Sequence, residues 1–232
     1  MAAAPGLDRC RAVLLDWGGT VDADGEPWKL RVAALLAAEG VVVEAERFDR
    51  AFYAADDALV GTVPHALSLI GVSRRLLTGL TRGLGVDDPA LAERVAFAFA
   101  HESRAAVRRN APLLAALAGR YRLGLVSNFY GNLEAVCDDC GVRELFGIIM
   151  DSARVGCEKP DPRIFGTALD ALGVSPAEAI FVGDSLPRDM AGARGVGMPH
   201  IWLVPAAHER RTACCPADPV VHSLVELEGL LL

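Results

Sequence analysis

Apolar residues follow two different rhythms along this chain. Between Trp28 and Asn110 they recur at helical spacing. Leu30, Ala33, Ala34, Leu36 and Ala37 form one face, and further helices are predicted over 46–59, 64–84 and 89–108. Asp87-Asp88-Pro89 is a helix start with proline in the first turn. The single strand-like run in this stretch is Val41-Val42-Val43. Outside it the rhythm changes to short, unbroken apolar runs at 12–15, 123–126, 147–150, 179–182 and 200–204. Helical segments at 112–118, 133–140, 162–172 and 187–194 separate them. Residues 205–219 read as a loop before a last short strand, Val220-Val221, and a helix.

Strands alternating with helices predict crossover units and a parallel sheet. Strands apolar at every position predict a sheet covered on both faces. The predicted fold is therefore α/β: a doubly wound, Rossmann-like parallel-sheet core interrupted by a helical insertion. The core is assigned to 1–24 plus 111–232 and the insertion to 25–110. The insertion is expected above the C-terminal ends of the strands, where ligands bind in such sheets, as a lid or cap.

Composition narrows the function. The 232 residues are 52% hydrophobic and 23% charged, which suits a globular core. A net charge of -7 argues against a nucleic-acid partner, whose phosphates are held by clustered Lys and Arg. No run approaches the ~18 apolar residues of a membrane span, and 1–11 lack the continuous apolar segment of a signal peptide. A soluble, cytoplasmic protein is expected, and no oligomeric state is legible. Six cysteines (10, 137, 140, 157, 214 and 215) do not form a disulfide framework in a chain this long. Cys137-Asp-Asp-Cys140 has the spacing of a redox or zinc pair but no second pair, and reads as two ordinary thiols in a helix. Lysine occurs only as Lys29 and Lys159, so each is a candidate for a task that arginine's wide fork does not suit.

Four sites stand in order at element ends: Asp16 after the first strand, Ser127-Asn128 after the second, Lys159 in Cys157-Glu158-Lys159-Pro160, and Asp184 after Val182-Gly183, with Asp189 following. The residue types suit phosphoryl transfer. A carboxylate nucleophile divides the reaction into two easier steps. A serine hydroxyl with nearby backbone N–H groups holds phosphate oxygens. A lysine offsets charge where anion meets anion, and several carboxylates together hold a hard cation such as Mg²⁺. Taken singly, each residue has a plain alternative: a turn or helix cap for Asp16 and for Ser127-Asn128, a surface position for Asp189.

The four together, with Asp16-Trp17-Gly18-Gly19-Thr20 and Gly183-Asp184-Ser185-Leu186-Pro187-Arg188-Asp189, resemble the haloacid dehalogenase-like hydrolases, in particular the subgroup with its cap inserted after the first motif. The resemblance spans the chain. It implies that Asp16 is the nucleophile and a metal ligand, and that Ser127, Asn128 and Lys159 bind phosphate. It further implies that Asp184, Asp189 and the Gly18 carbonyl complete a Mg²⁺ site, with a small phosphorylated metabolite as substrate.

The chain departs from that pattern at Gly18, where the family's phosphatases carry a second aspartate as general acid and base, a group typically worth about 10²–10⁴ in rate. Asp22, Asp24, Glu26, His65 and His101 are weighed as replacements, and each reads as a solvated surface residue. A first motif with a small residue at this position is similar to phosphonoacetaldehyde hydrolase, which cleaves a C–P bond through a cap lysine. Lys29 is the only spare lysine, and it reads as a surface residue at the start of the insertion. A dehalogenase would not need the metal-binding aspartates. A catalytically weak protein that binds a phosphorylated ligand is the remaining alternative. Arg74, Arg75, Arg82, Arg104, Arg108 and Arg109 read as solvated faces, and Trp28, Phe52 and Tyr53 as core.

Overall fold

The computed structural model describes residues 9–86, 88–208 and 218–232. After β1 (Ala12–Leu15) the chain enters four helices, α1 (Trp28–Ala38), α2 (Ala45–Asp57), α3 (Leu69–Gly83) and α4 (Pro89–Ala118). It then alternates β2 (Arg122–Ser127), α5 (Leu133–Asp139), β3 (Ile148–Asp151), α6 (Ser152–Val155), α7 (Pro162–Leu172), β4 (Ala179–Gly183), α8 (Ala191–Gly195) and β5 (His200–Leu203). β6 (Val220–Val221) and α9 (Glu228–Leu231) end it. The strands form one parallel sheet in the order β3-β2-β1-β4-β5-β6. The fold is the predicted doubly wound α/β arrangement.

Strand periodicity separates two cores. Val13 and Leu15 face one way with Leu125, Val182 and Ile201. Ala12 and Leu14 face the other with Val126, Phe181 and Trp202. On the second side α7 covers the sheet with Ile164, Phe165, Ala168 and Leu169. On the first, the apolar cluster runs on without a break into α1–α4, through Val32, Leu36, Leu76 and Phe99. Every residue of β1 is fully buried, so none of its positions needed a polar side chain.

Three expectations change. The helix predicted to start at Pro112 is instead the last part of α4, which continues through the proline. Its ring removes one helical hydrogen bond, but Val107, Leu113, Leu114 and Leu117 keep a single buried face across it. That helix therefore crosses the 110/111 boundary. Val41-Val42-Val43 forms no strand; no neighbour pairs with it, and Val42 is exposed. The helix predicted from Pro64 begins at Leu69, where the Ser68 hydroxyl caps the Gly71 N–H. Cys214 and Cys215 lie outside the described residues. Cys137 is buried, and burial pushes its thiol and that of Cys140 well up, so both stay protonated.

A buried polar knot ties the helices to the end of β1. The Asp22 carboxylate, wholly buried, accepts from the Gly19 N–H (2.8 Å), Trp28 Nε1 (2.7 Å), Ser103 Oγ (2.9 Å) and Arg31 Nη1 (3.3 Å). Arg31 also donates to Ser103 and lies over the Phe99 ring at 4.4 Å. Asn110 Nδ2 donates to the Val21 carbonyl from α4. Asp22 was expected at the surface; it is instead the centre of the junction. Removing one member of a buried ion pair strands the other. Arg31→Met should lower unfolding free energy by about 3–5 kcal/mol in urea titrations, and an unchanged midpoint would show that the pair contributes nothing net.

Candidate active site

β1 and β4 are neighbours, with Leu15 opposite Val182, and the chain runs outward in opposite directions from them. Side chains following these two strands meet at the crevice where doubly wound sheets bind ligands. Asp16 follows β1, its N–H bonded to the Val182 carbonyl. Its carboxylate caps nothing in the next turn. Asp184 follows β4, and Asp189 lies in the turn Leu186–Met190 that leads into α8. One oxygen from each of Asp16, Asp184 and Asp189 falls within 4.8 Å of the others. Lys159 enters from the turn before α7, with Nζ 2.7 Å from Asp16 Oδ1 and 2.6 Å from Asp189 Oδ1.

Charge sets the character of this cluster. Burial works against the Lys159 ammonium, but Asp16 and Asp189 outweigh it and hold its pKa above the ordinary value. Burial and the neighbouring carboxylates push Asp184 well above the usual carboxylate range, and Asp189 rises with it, chiefly by burial. Three carboxylates against one ammonium leave negative charge in excess. An all-oxygen donor set in that state suits a hard divalent cation, so the residues fit Mg²⁺.

The supporting contacts are local. Thr20 Oγ1 donates to Asp184 Oδ1 (3.2 Å), and the Ser185 N–H to Asp189 Oδ2 (2.9 Å). Trp202 Nε1 donates to the Asp184 carbonyl. The Asn128 amide is bonded on both sides to the Lys159 main chain, at 2.8 and 3.0 Å, and so holds the lysine in place. Ser127 is buried at the end of β2 and starts no helix; α5 begins at Leu133, whose N–H donates to the Asp151 carboxylate.

Two glycines shape the floor. Gly19 has φ +85°, and a Cβ there would stand 2.8 Å from Asp184 Oδ2. Gly18 has an ordinary φ of −73° and faces the cavity, with the Trp28 indole beside it, its Nε1 3.4 Å from where a Cβ would be, an ordinary contact.

These groups open into a cavity of about 610 Å³. Asp16, Gly18, Ser127, Asn128, Lys159, Asp184 and Asp189 all line it. None of Asp22, Asp24, Glu26, His65 and His101 does. Asp24 pairs with Arg109 at 2.5 Å, His65 Nδ1 rests on the Gly131 carbonyl, and His101 stacks on Phe97. Arg74 and Arg104 form ion pairs with Glu93 and Asp139, away from the cavity. Lys29, expected at the surface, lines the cavity and bonds Asp49 at 2.9 Å. Trp28, Phe52 and Tyr53 line it as well, the first two while also belonging to the core. Sequence spacing missed Asp56, Tyr130 and Arg188, which complete the wall. A polar residue on the otherwise apolar face of α2 was the available signal for Asp56.

Residues 10–197 match the family model for haloacid dehalogenase-like hydrolases. The chain belongs to this family. The hydrolase is 43% identical over 110 residues to haloacid dehalogenase-like hydrolase domain-containing protein 3 of Mus musculus, a match covering 47% of this chain and 43% of that protein. The chain thus spans less than half the length of that curated relative. It is 44% identical over 63 residues to a phosphoserine phosphatase of Thermus thermophilus, covering 27% of this chain and 25% of that one. A solved dehalogenase superposes with a TM-score of 0.68 at 25% identity, over 97% of this chain and 98% of that one. Among the described residues no helix is long and apolar enough to cross a membrane.

Gly19→Ala should leave the hydrolase folded but displace Asp184. A misplacement of about 1 Å can cost about 10²-fold, so kcat/KM on its best substrate should fall by about that factor, with unchanged circular dichroism.

Proposed function

We propose that this hydrolase is a Mg²⁺-dependent phosphatase that acts on a small phosphorylated metabolite through an aspartyl phosphate on Asp16. The observation that carries this reading is the Asp16 carboxylate at the cavity floor, 2.7 Å from the Lys159 ammonium and beside two further carboxylates. A dehalogenase attacking carbon needs no metal, whereas Asp184 and Asp189 crowded against Asp16 suit the cation that a phosphatase uses. The phosphatase among the relatives adds support.

Asp16, Asp184, Asp189 and the Gly18 carbonyl are the residues that would hold Mg²⁺, which when bound neutralises charge on the phosphoryl group. Asp16 Oδ1 is placed by Lys159, and the other oxygen attacks phosphorus. Lys159 and the Ser127 hydroxyl bind phosphoryl oxygens. Asn128 spends its side chain on Lys159, so its part in phosphate binding falls to its main chain. Residues 25–110 act as a cap over the core of 1–24 and 111–232, closing the cavity against bulk water during transfer. The aromatic side of the cavity, Trp28, Phe52, Tyr53 and Phe129, receives the leaving group.

One observation favours a second reading, a C–P bond hydrolase: Lys29 lines the cavity. A Schiff base requires a neutral amine. Burial disfavours the charge on Lys29, but the hydrogen bond to Asp49 and the Tyr53 side chain outweigh that and raise its pKa, so the amine is kept protonated. This places the reading behind the first.

Phosphate release from alkyl and aryl monoesters, acyl phosphates and phosphonoacetaldehyde, with Mg²⁺ and with chelator, tests both. Turnover should need the metal, fall to background in Asp16→Asn, and survive Lys29→Met on phosphomonoesters. Turnover of phosphonoacetaldehyde alone, lost in Lys29→Met, would reverse the order. Mg²⁺ binding by calorimetry with no turnover on any compound would favour a protein that binds a phosphorylated ligand.

A further inference from the structure

Position 18 is glycine and offers the leaving group no acid, and the Trp28 indole beside it carries no transferable proton. We propose that Asp56 of α2 supplies that proton and later takes one from the attacking water, with Tyr130 holding its carboxyl group in position. This rests on the phosphatase reading above.

The assignment follows from the ionisable groups that line the cavity. Asp16, Asp184, Asp189 and Lys159 form the charge cluster on the floor. Lys29 is held as an ammonium by Asp49, and Tyr53 packs against it. Arg188 does not give up a proton in proteins. The Tyr130 hydroxyl is buried beside Asp56, and burial pushes its pKa well up, so it keeps its proton and donates it as a hydrogen bond to Asp56 Oδ1. Asp56 is the carboxyl group that remains.

Its surroundings favour the protonated acid before reaction. Asp56 is in the last turn of α2, where the helix dipole disfavours a negative charge. Burial is the largest influence on it and raises its pKa, Asp57 raises it further, and the Tyr130 hydrogen bond and Arg188 partly oppose this. With Oδ1 engaged by Tyr130, Oδ2 carries the transferable proton. Tyr130 is itself fixed: the loop after β2 is held by Asp151, which accepts from the Gly131 and Leu133 N–H groups, and by Ser152 Oγ, which accepts from the Phe129 N–H. A further contact joins the two sides, as the Gly61 N–H donates to the Tyr130 carbonyl.

The steps balance. Asp16 forms a bond to phosphorus as the P–O bond to the leaving group breaks, and the departing oxygen takes the proton from Asp56. Water then attacks the aspartyl phosphate, gives a proton to the Asp56 carboxylate, and the bond to Asp16 breaks with release of phosphate. Because Asp56 is on α2 and Tyr130 on the loop after β2, their hydrogen bond holds the donor in place only when the helices are seated on that loop.

Asp56→Asn in the full chain with Mg²⁺ tests this on two probes, glycerol phosphate and 4-nitrophenyl phosphate. A general acid is worth about 10²–10⁴, and glycerol phosphate turnover should fall by that range. 4-Nitrophenolate leaves without a proton, so its release should persist as a burst, followed by slow turnover and phosphorylated Asp16 detectable by intact mass. Equal losses on both probes, with no burst, would overturn the proposal and leave the phosphatase reading standing. No turnover of either probe by the unaltered chain would overturn both. Tyr130→Phe is the second arm and keeps the carboxyl. Losing a hydrogen bond that stabilises the carboxylate raises the pKa of the acid, so the alkaline limb of kcat/KM on glycerol phosphate should move to higher pH. An unmoved limb would remove Asp56 from that role.

Discussion

Three carboxylates meet in one buried crevice, and the single ammonium of Lys159 does not balance them. Much of the surrounding structure is accounted for by holding these like charges together. β1 and β4 must be adjacent so that Asp16 and Asp184 end side by side. The turn before α7 must bring Lys159 between Asp16 and Asp189, and Asn128 clamps the lysine's main chain so that the long side chain starts from a fixed point. Gly19 must lack a side chain so that Asp184 can approach. The arrangement is costly without a cation and well matched to one.

The second organising feature is the junction beside position 18. The glycine there has an unremarkable backbone and lies against the Trp28 indole. That indole gives its N–H to Asp22, which binds Arg31 and Ser103 in turn. One substitution in the loop after β1 is thereby coupled to the seating of α1 and α4. The Trp28 ring also packs edge-on against Phe99 of α4 and Phe129 of the loop after β2. Position 18 thus carries no ionisable group and makes an apolar contact with the helices. Asp56, on α2, lines the same cavity.

The sheet and the charge cluster were legible in the amino-acid sequence because each is encoded locally. Runs such as Ala12–Leu15 and Ala179–Gly183 are apolar at every position because helices cover both faces, and the polar residue that ends each run marks the point where the chain leaves the sheet. Asp16, Ser127 and Asp184 stand at such ends, while Lys159 stood out as one of only two lysines and through the resemblance. Pro112 misled, since a proline near a polar break resembles a helix start, while the buried face that carries α4 through it is visible only in three dimensions.

What the tertiary structure decided concerns contacts between the helical stretch and the sheet. Asp22 looked like a surface residue on a Gly- and Asp-rich turn, yet it is fully buried because Trp28, Arg31 and Ser103 converge on it from two helices. Lys29 looked like a surface residue and Asp56 was not singled out, yet both line the cavity. Periodicity along a helix says which face is buried, and these residues lie at the margin of that face. Whether a marginal residue meets water or a cavity depends on how the helix is set against the sheet, and residues far apart in the chain fix that. The sequence by itself determined the sheet, the order of the motifs and the carboxylates that share a floor; packing across the crevice determined which residues stand above it.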